Sequence, residues 1–221
     1  MSRSELAEKY PNIIEGSDAP ENKKILCPFH RLLARAGVYT PEAENTDEVK
    51  VWIAKVTAKA AEFGCSKVAC GGVATLASAG QLLSGTTSLG KVNLTSLHTA
   101  KGIAHDCGLA FGKGSTEVDD EVRSETIDRL RNLADNEGKL HFDDLQSVKL
   151  GICQEQGVTI TDAGELEIKL IYNFLGGKER GYITVDDVER FFHAELPETI
   201  GAPGGNPKMR NPSKTPFTEV A

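Results

Sequence analysis

The chain has 221 residues and a formal charge of −7, with a pI near 5.3, so clustered Lys and Arg of the kind that nucleic-acid phosphates demand are not to be expected. Hydrophobic residues make up 39% and charged residues 26%, which fits a globular chain and excludes a fibrous or collagen-like one. The length suits one mid-sized domain, and no run of about 18 apolar residues is present to span a bilayer.

Residues 1–24 are polar and punctuated by Pro and Gly, and read as a lead-in segment with little core content. MSRSELAEKYPNIIEGSDAP lacks the apolar stretch of a signal peptide, so the chain reads as cytoplasmic, or as secreted if a leader precedes it. In ILCPFHRLLARAGV a helix is expected from Pro28 to Ala36, because proline fits the first helical position and Gly37 supplies the stop. A longer helix is expected from Pro41 to Phe63, where Val49, Ile53, Val56, Ala60 and Phe63 recur at three- and four-residue steps. CSKVACGGVATLASAGQLLSG reads as a helix of small residues that lets neighbours or a flat ligand come close. TTSLGKVNLTSLHTAKGIAHD reads as loop with a short helix.

Four amphipathic helices follow: Asp119 to Leu133, Phe142 to Cys153, Thr161 to Leu175, and Thr184 to His193, the last capped by Thr184. Residues 203–221 read as a flexible tail. Strand signals amount to one short hairpin at most, so the fold class is all-α. The five cysteines, at 27, 65, 70, 107 and 153, do not suggest a disulfide framework in a chain of this length. Cys65 and Cys70 could pair, but five residues apart on a helix their side chains diverge, and free buried thiols are expected.

The chemistry concentrates at Cys27. A helix N-terminus presents unpaired N–H groups and a positive dipole end, which favour thiolate over thiol. Such a sulfur can serve as nucleophile, redox sensor or soft-metal ligand. CPFHRLLARAG, with Cys27, Pro28, Leu33, Ala34 and Gly37 in register, resembles the proximal segment of the haem-thiolate peroxidases, the chloroperoxidases and unspecific peroxygenases. VNLTSLHTAKGIAHD, GELEIKLIYNFLGG and ITVDDVERFFHAELPETIGA resemble later segments of that family, in the same order. The resemblance covers residues 25–202.

The resemblance implies a single-domain helical bundle around haem b, with Cys27 as the axial ligand to iron and the amides after it bonded to the sulfur. It implies that Glu165, or failing that Glu167, moves a proton between the oxygens of bound hydrogen peroxide, helped by His105 and Asp106. Val158 stands where peroxygenases place an arginine, so the expected site is chloroperoxidase-like. Ile103 and Ile168 would give the pocket aliphatic walls, and Pro28 would border the haem. The family holds a magnesium or manganese ion beside a haem propionate through a Glu and a Ser, but Ala104 and Gly108 stand at those positions. A propionate would instead meet Arg31, Arg35 or Lys101.

The expected activity is oxidation of a small organic substrate by hydrogen peroxide, with no nucleic-acid or membrane partner. A relative with altered or lost peroxide chemistry, or a thiol enzyme with Cys27 as nucleophile and His105 as base, are the alternatives. A further one is a cation-binding module at LADNEGKLHFDD and GGKERGYITVDD, which share an EF-hand-like glycine, apolar residue and closing acid. With Gly138 and Gly181 at the sixth loop position, Leu133, Gly176, Lys178 and Arg180 fall where a hard cation needs oxygen, so calcium is not expected.

Overall fold

The computed structural model describes residues 1–41, 47–65, 67–102, 104 and 106–200. The described chain is mostly helical. Among these residues no helix is long and apolar enough to cross a membrane.

The lead-in segment differs from expectation, because it is part of the core. Helix α1 (Arg3–Lys9) starts at Ser2, whose side chain accepts from the Glu5 amide while Glu5 reaches back to the Ser2 amide. A 3-10 turn at Pro11–Ile13 follows. Leu6, Tyr10 and Ile13 are buried in the same apolar cluster as Phe191 and Ile200. The two ends of the described chain are clasped together: the Leu196 amide donates to the Ile13 carbonyl at 2.8 Å, and Arg3 bonds the Pro197 carbonyl and pairs with Glu198.

Helix α2 (Pro28–Arg35) begins and ends where the sequence places it. Cys27 is the extended N-cap and Pro28 the first helical residue. At the other end Gly37 takes a φ of +75°. The Val38 amide then donates to Leu33 and the Gly37 amide to Ala34, which closes the open carbonyls of the last turn.

The helix expected over 41–63 is shorter than predicted. Strand β1 (Lys50–Trp52) precedes helix α3 (Ile53–Glu62), and residues 42–46 lie outside the described set. Val49 and Val51 are buried while Trp52 is exposed, an alternation of period two that the i, i+4 match of Val49 with Ile53 concealed. Strand β2 (Lys91–Asn93) pairs with β1 antiparallel, Val51 opposite Val92.

Helix α4 (Lys67–Leu83) packs beside α3. It is locked to β2 by Gln81, whose amide donates to the Asn93 carbonyl and accepts from the Asn93 amide at 2.7 and 2.8 Å. A Cβ at Gly80 would fall on the Lys101 backbone, so glycine is required for that approach. A 3-10 stretch, Leu94–Thr99, then leads away from β2.

The second half holds two helix–loop–helix units. Helices α5 (Asp120–Leu133) and α6 (Phe142–Glu155) flank strand β3 (Lys139–Leu140). Helix α7 (Asp162–Phe174), the short α8 (Gly177–Arg180) and helix α9 (Val185–Phe192) surround strand β4 (Ile183–Thr184). Asp119, Thr161 and Thr184 cap α5, α7 and α9. The two strands pair antiparallel with Leu140 opposite Ile183, each two residues after a positive-φ glycine, Gly138 and Gly181. The two look-alike loops are thus partners. Neither two-stranded sheet is the hairpin anticipated, since several helices separate each strand from its mate.

The cysteines also differ from expectation: Cys65 pairs with Cys70 and Cys107 with Cys153. Cys65 precedes α4 rather than lying in it, so the divergence argued for two cysteines on one helix does not apply. The second bridge joins residues 46 apart, and closing such a loop in the unfolded chain is worth about 4 kcal/mol. Alanine at Cys107 and Cys153 together is expected to lower the unfolding free energy by that amount or somewhat less, with a steeper denaturant slope because the unfolded chain is no longer held together. A loss below about 1 kcal/mol would show that the bridge leaves the unfolded chain unconstrained.

Candidate functional site

One apolar cavity gathers α2, α4, β2, α7 and α9, with about 1220 Å³ of empty space including its open mouth. Cys27, Pro28, Phe29 and His30 enter it from the start of α2, and Val73, Ala74 and Ala77 from α4. The Cys65–Cys70 bridge, Leu97, His98, Ala104 and Phe111 also line it. Phe29 meets Phe174 edge-on at 4.6 Å, and Phe174 lies 5.0 Å from Phe191, so three rings close one side.

Helix α7 contributes Ala163, Leu166, Glu167, Leu170, Ile171 and Phe174. These positions follow the three- and four-residue steps of one helix face. Glu165 is not among them: its side chain is exposed. Two residues along a helix turn a side chain by about 200°, so the carboxylate on the cavity is Glu167, and the placement of Glu165 in the site is corrected. Ile168 is likewise displaced, being fully buried on the other side of α7 and off the cavity lining.

Glu167 is held by Lys149 of α6, an ammonium with no solvent exposure that also donates to the Gly164 carbonyl at 2.8 Å. The carboxylate therefore meets the apolar cavity with its charge balanced from behind. A buried lysine and a glutamate at 13% exposure form the kind of pair whose members depend on each other.

Cys27 is the free cysteine among the described residues. Its side chain makes no capping bond, yet the amides of His30 and Phe29 in the first turn favour the thiolate. Burial acts against them and wins, so the thiol is pushed above its ordinary range. His30 sits beside it with Nδ1 buried and unpartnered. Burial pushes that imidazole down to about 4, so it is neutral at pH 7.

The remaining expected residues are distributed as follows. Pro28 borders the cavity. Asp106 is exposed and lies off the lining, while Ile103 and His105 lie outside the described residues. Arg31 and Arg35 do not face the cavity. Arg31 is fully buried against Glu21 and donates to the Ile25, Leu26 and Phe192 carbonyls. Arg35 bonds the Ala19, Ser17 and His193 carbonyls. Both arginines tie the N-terminal segment and α9 to α2. Lys101 is exposed and off the lining.

Gly108 has its own explanation, since a Cβ there would enter the ring of Phe111, whose carbonyl accepts from the Gly108 amide. A serine would displace a ring that walls the cavity. Among the described residues no group of three or more His, Cys, Asp or Glu side chains is arranged to hold a metal ion.

His30 and His98, which the resemblance puts near the haem without a required role, both line the cavity. His30 lies three residues after Cys27, one helical turn away, and that spacing was the available signal. His98 stands in an irregular segment where no periodicity points inward.

Compared with known protein families, with curated proteins and with solved structures, the chain matches none.

Proposed function

We propose that the chain is a haem-thiolate peroxidase or peroxygenase that uses hydrogen peroxide to oxidise a small, largely apolar organic molecule. The observation that carries the reading is the meeting of a helix-starting cysteine and a lysine-backed carboxylate in one apolar cavity. In this reading Cys27 would hold the haem iron through its sulfur, and Glu167, in place of Glu165, would hold and move the peroxide proton at its carboxylate oxygens.

The lining suits haem b in its donor and its walls. Thiolate is a soft ligand fit for iron, and coordination to a metal removes the proton that burial otherwise retains. Val73, Ala74 and Ala77 give α4 a low profile on the cavity, against which a flat ligand can lie. When bound, the haem supplies the oxidising chemistry. The aromatic side formed by Phe29, Phe174 and Phe191 excludes water from a bound substrate.

A thiol-nucleophile enzyme is less well supported, because burial keeps Cys27 protonated. Two disulfides favour an oxidising compartment over the cytoplasm.

The test is spectroscopic. Titrated with haemin, the purified chain is expected to bind one equivalent and, once reduced under carbon monoxide, to absorb near about 450 nm, the position of thiolate ligation. Cys27→Ser should lose that band. A chain that takes up no haem, or a serine variant that keeps the band, would sink the reading.

A further inference from the structure

The outer face of α4 is apolar where a surface helix is normally polar. Val68, Gly72, Thr75, Leu76, Ala79, Leu82 and Leu83 are all exposed and recur at the three- and four-residue steps of a single stripe. None carries a charge. Val68 is 82% exposed and Leu83 76%, on a helix whose opposite face is already buried or lines the cavity. A helix apolar all round is one that has something on both sides.

Trp52 and Leu89 are exposed beside β2, the strand to which Gln81 ties α4. Trp52 is 58% exposed and Leu89 80%, and Gly90 packs against the Trp52 ring. Among the described residues, six of the ten large exposed apolar side chains fall in the stretch from Trp52 to Leu89, so the exposure is concentrated along the chain.

Charge indicates what covers it. The chain is acidic, with 32 Asp and Glu against 25 Lys and Arg, yet from Phe63 to His105 the sequence has no acid and three lysines, Lys67, Lys91 and Lys101. Lys55, Lys67 and Lys101 are exposed, and the Lys91 ammonium lies 5.3 Å from the Trp52 ring centroid. Of the bordering acids, Glu48 is matched by Lys50 and Glu62 by Lys9 and Lys59, while Asp106 is exposed at the far edge. An apolar stripe with a tryptophan beside it and a cationic surround is the pattern of a segment that lies in a membrane interface with anionic headgroups.

We infer that the α4 face is a peripheral membrane-docking surface that seats on an anionic lipid bilayer, with Trp52, Leu76 and Leu83 in the acyl boundary and the lysines on headgroups. The absence of a spanning helix is no obstacle, since docking of this kind buries one face of a helix lying in the membrane plane. Val73, Ala74 and Ala77 on the inner side of the same helix line the cavity. One helix thickness, about 10 Å, therefore separates the bilayer from a site built for apolar molecules.

Trp52 is the sole tryptophan of the chain, so its emission reports docking directly. The full chain is floated with vesicles of phosphatidylcholine alone and with about 30% phosphatidylglycerol. Binding is expected on the anionic vesicles, weakened at roughly 0.5 M salt, with a blue-shifted Trp52 emission quenched by acyl-brominated lipid. Leu76→Glu together with Leu83→Glu should lower partitioning at least tenfold without moving the thermal transition. Lys67→Glu and Lys101→Glu should each lower it about fivefold.

Failure to float on any vesicle, or binding that both sets of variants retain, would overturn the proposal. So would a concentration-dependent dimer that Leu76→Glu and Leu83→Glu dissociate, because the face would then belong to a second copy.

Discussion

Replacing Glu21 with alanine is expected to destabilise the fold by about 3–5 kcal/mol, the range for breaking a buried ion pair from one side. Glu21 lies in a segment without regular structure, yet one of its oxygens lies 2.5 Å from Arg31 Nε and the other 3.0 Å from Arg123 Nη1. Arg31 is fully buried and Arg123 nearly so. Both guanidiniums also donate to the Phe192 carbonyl, which draws α2 and α5 onto the end of α9. Without the carboxylate, two like charges remain together with only the exposed Asp120, 2.6 Å from Arg123, to offset them.

Urea unfolding should show the lower midpoint at an unchanged slope. Replacing Glu21, Arg31 and Arg123 together by leucine should recover only part of the loss, because it removes the desolvated charges but also the donors to the Ile25, Leu26 and Phe192 carbonyls. A Glu21→Ala loss below about 1 kcal/mol would mean that the arginines are already well solvated.

The second large effect is catalytic and rests on the proposed haem chemistry. Glu167→Gln is expected to slow peroxide consumption by roughly 10²-fold or more while haem still binds, the usual scale for losing a positioned acid–base group. Glu165→Gln, altering a carboxylate that points to solvent, should leave the rate within about twofold of the parent. The reverse pattern would restore Glu165 to the site and remove Glu167 from it.

Glu167→Gln also leaves Lys149 buried without its counter-charge, so stability should fall as well. A second variant separates the two effects. Lys149→Met combined with Glu167→Gln should regain stability and stay slow, whereas a purely structural role for Glu167 predicts that rate and stability return together.

The sequence was most legible where the cause of structure is local. Asp119, Thr161 and Thr184 cap their helices through bonds to amides two or three residues on, and Pro28 with Gly37 brackets α2 by backbone preference alone. What it hid depends on distant partners. β1 and β2 are three residues each, too short for alternation to stand out, and the helix-like spacing of Val49 and Ile53 masked it. The disulfides needed the position of Cys65 outside α4 and the approach of the Cys107 segment to α6.

The site divides in the same way. Cys27 could be picked out because its setting is one turn of one helix. Glu167 stands second to Glu165 in the sequence because an apolar run registers a helix only to within a residue or two, and that margin decides between solvent and cavity. Arg31 and Arg35 were read as open cations because nothing in their immediate sequence announces Glu21 or the carbonyls of α9.

The clasp between the segment around α1 and the residues after α9 bears on how the protein comes to be made. Leu6, Tyr10 and Ile13 enter the core, and the Ile13 carbonyl accepts from the amide of Leu196, which is made much later. A contact spanning so much of the sequence must close a very long loop, which raises contact order and slows folding. During translation the N-terminal helix and α2 can form early, but the surface they present to α9 stays uncovered until residues near 196 have left the ribosome. Nascent chains would expose that face while the residues between Ile13 and Leu196 are being made.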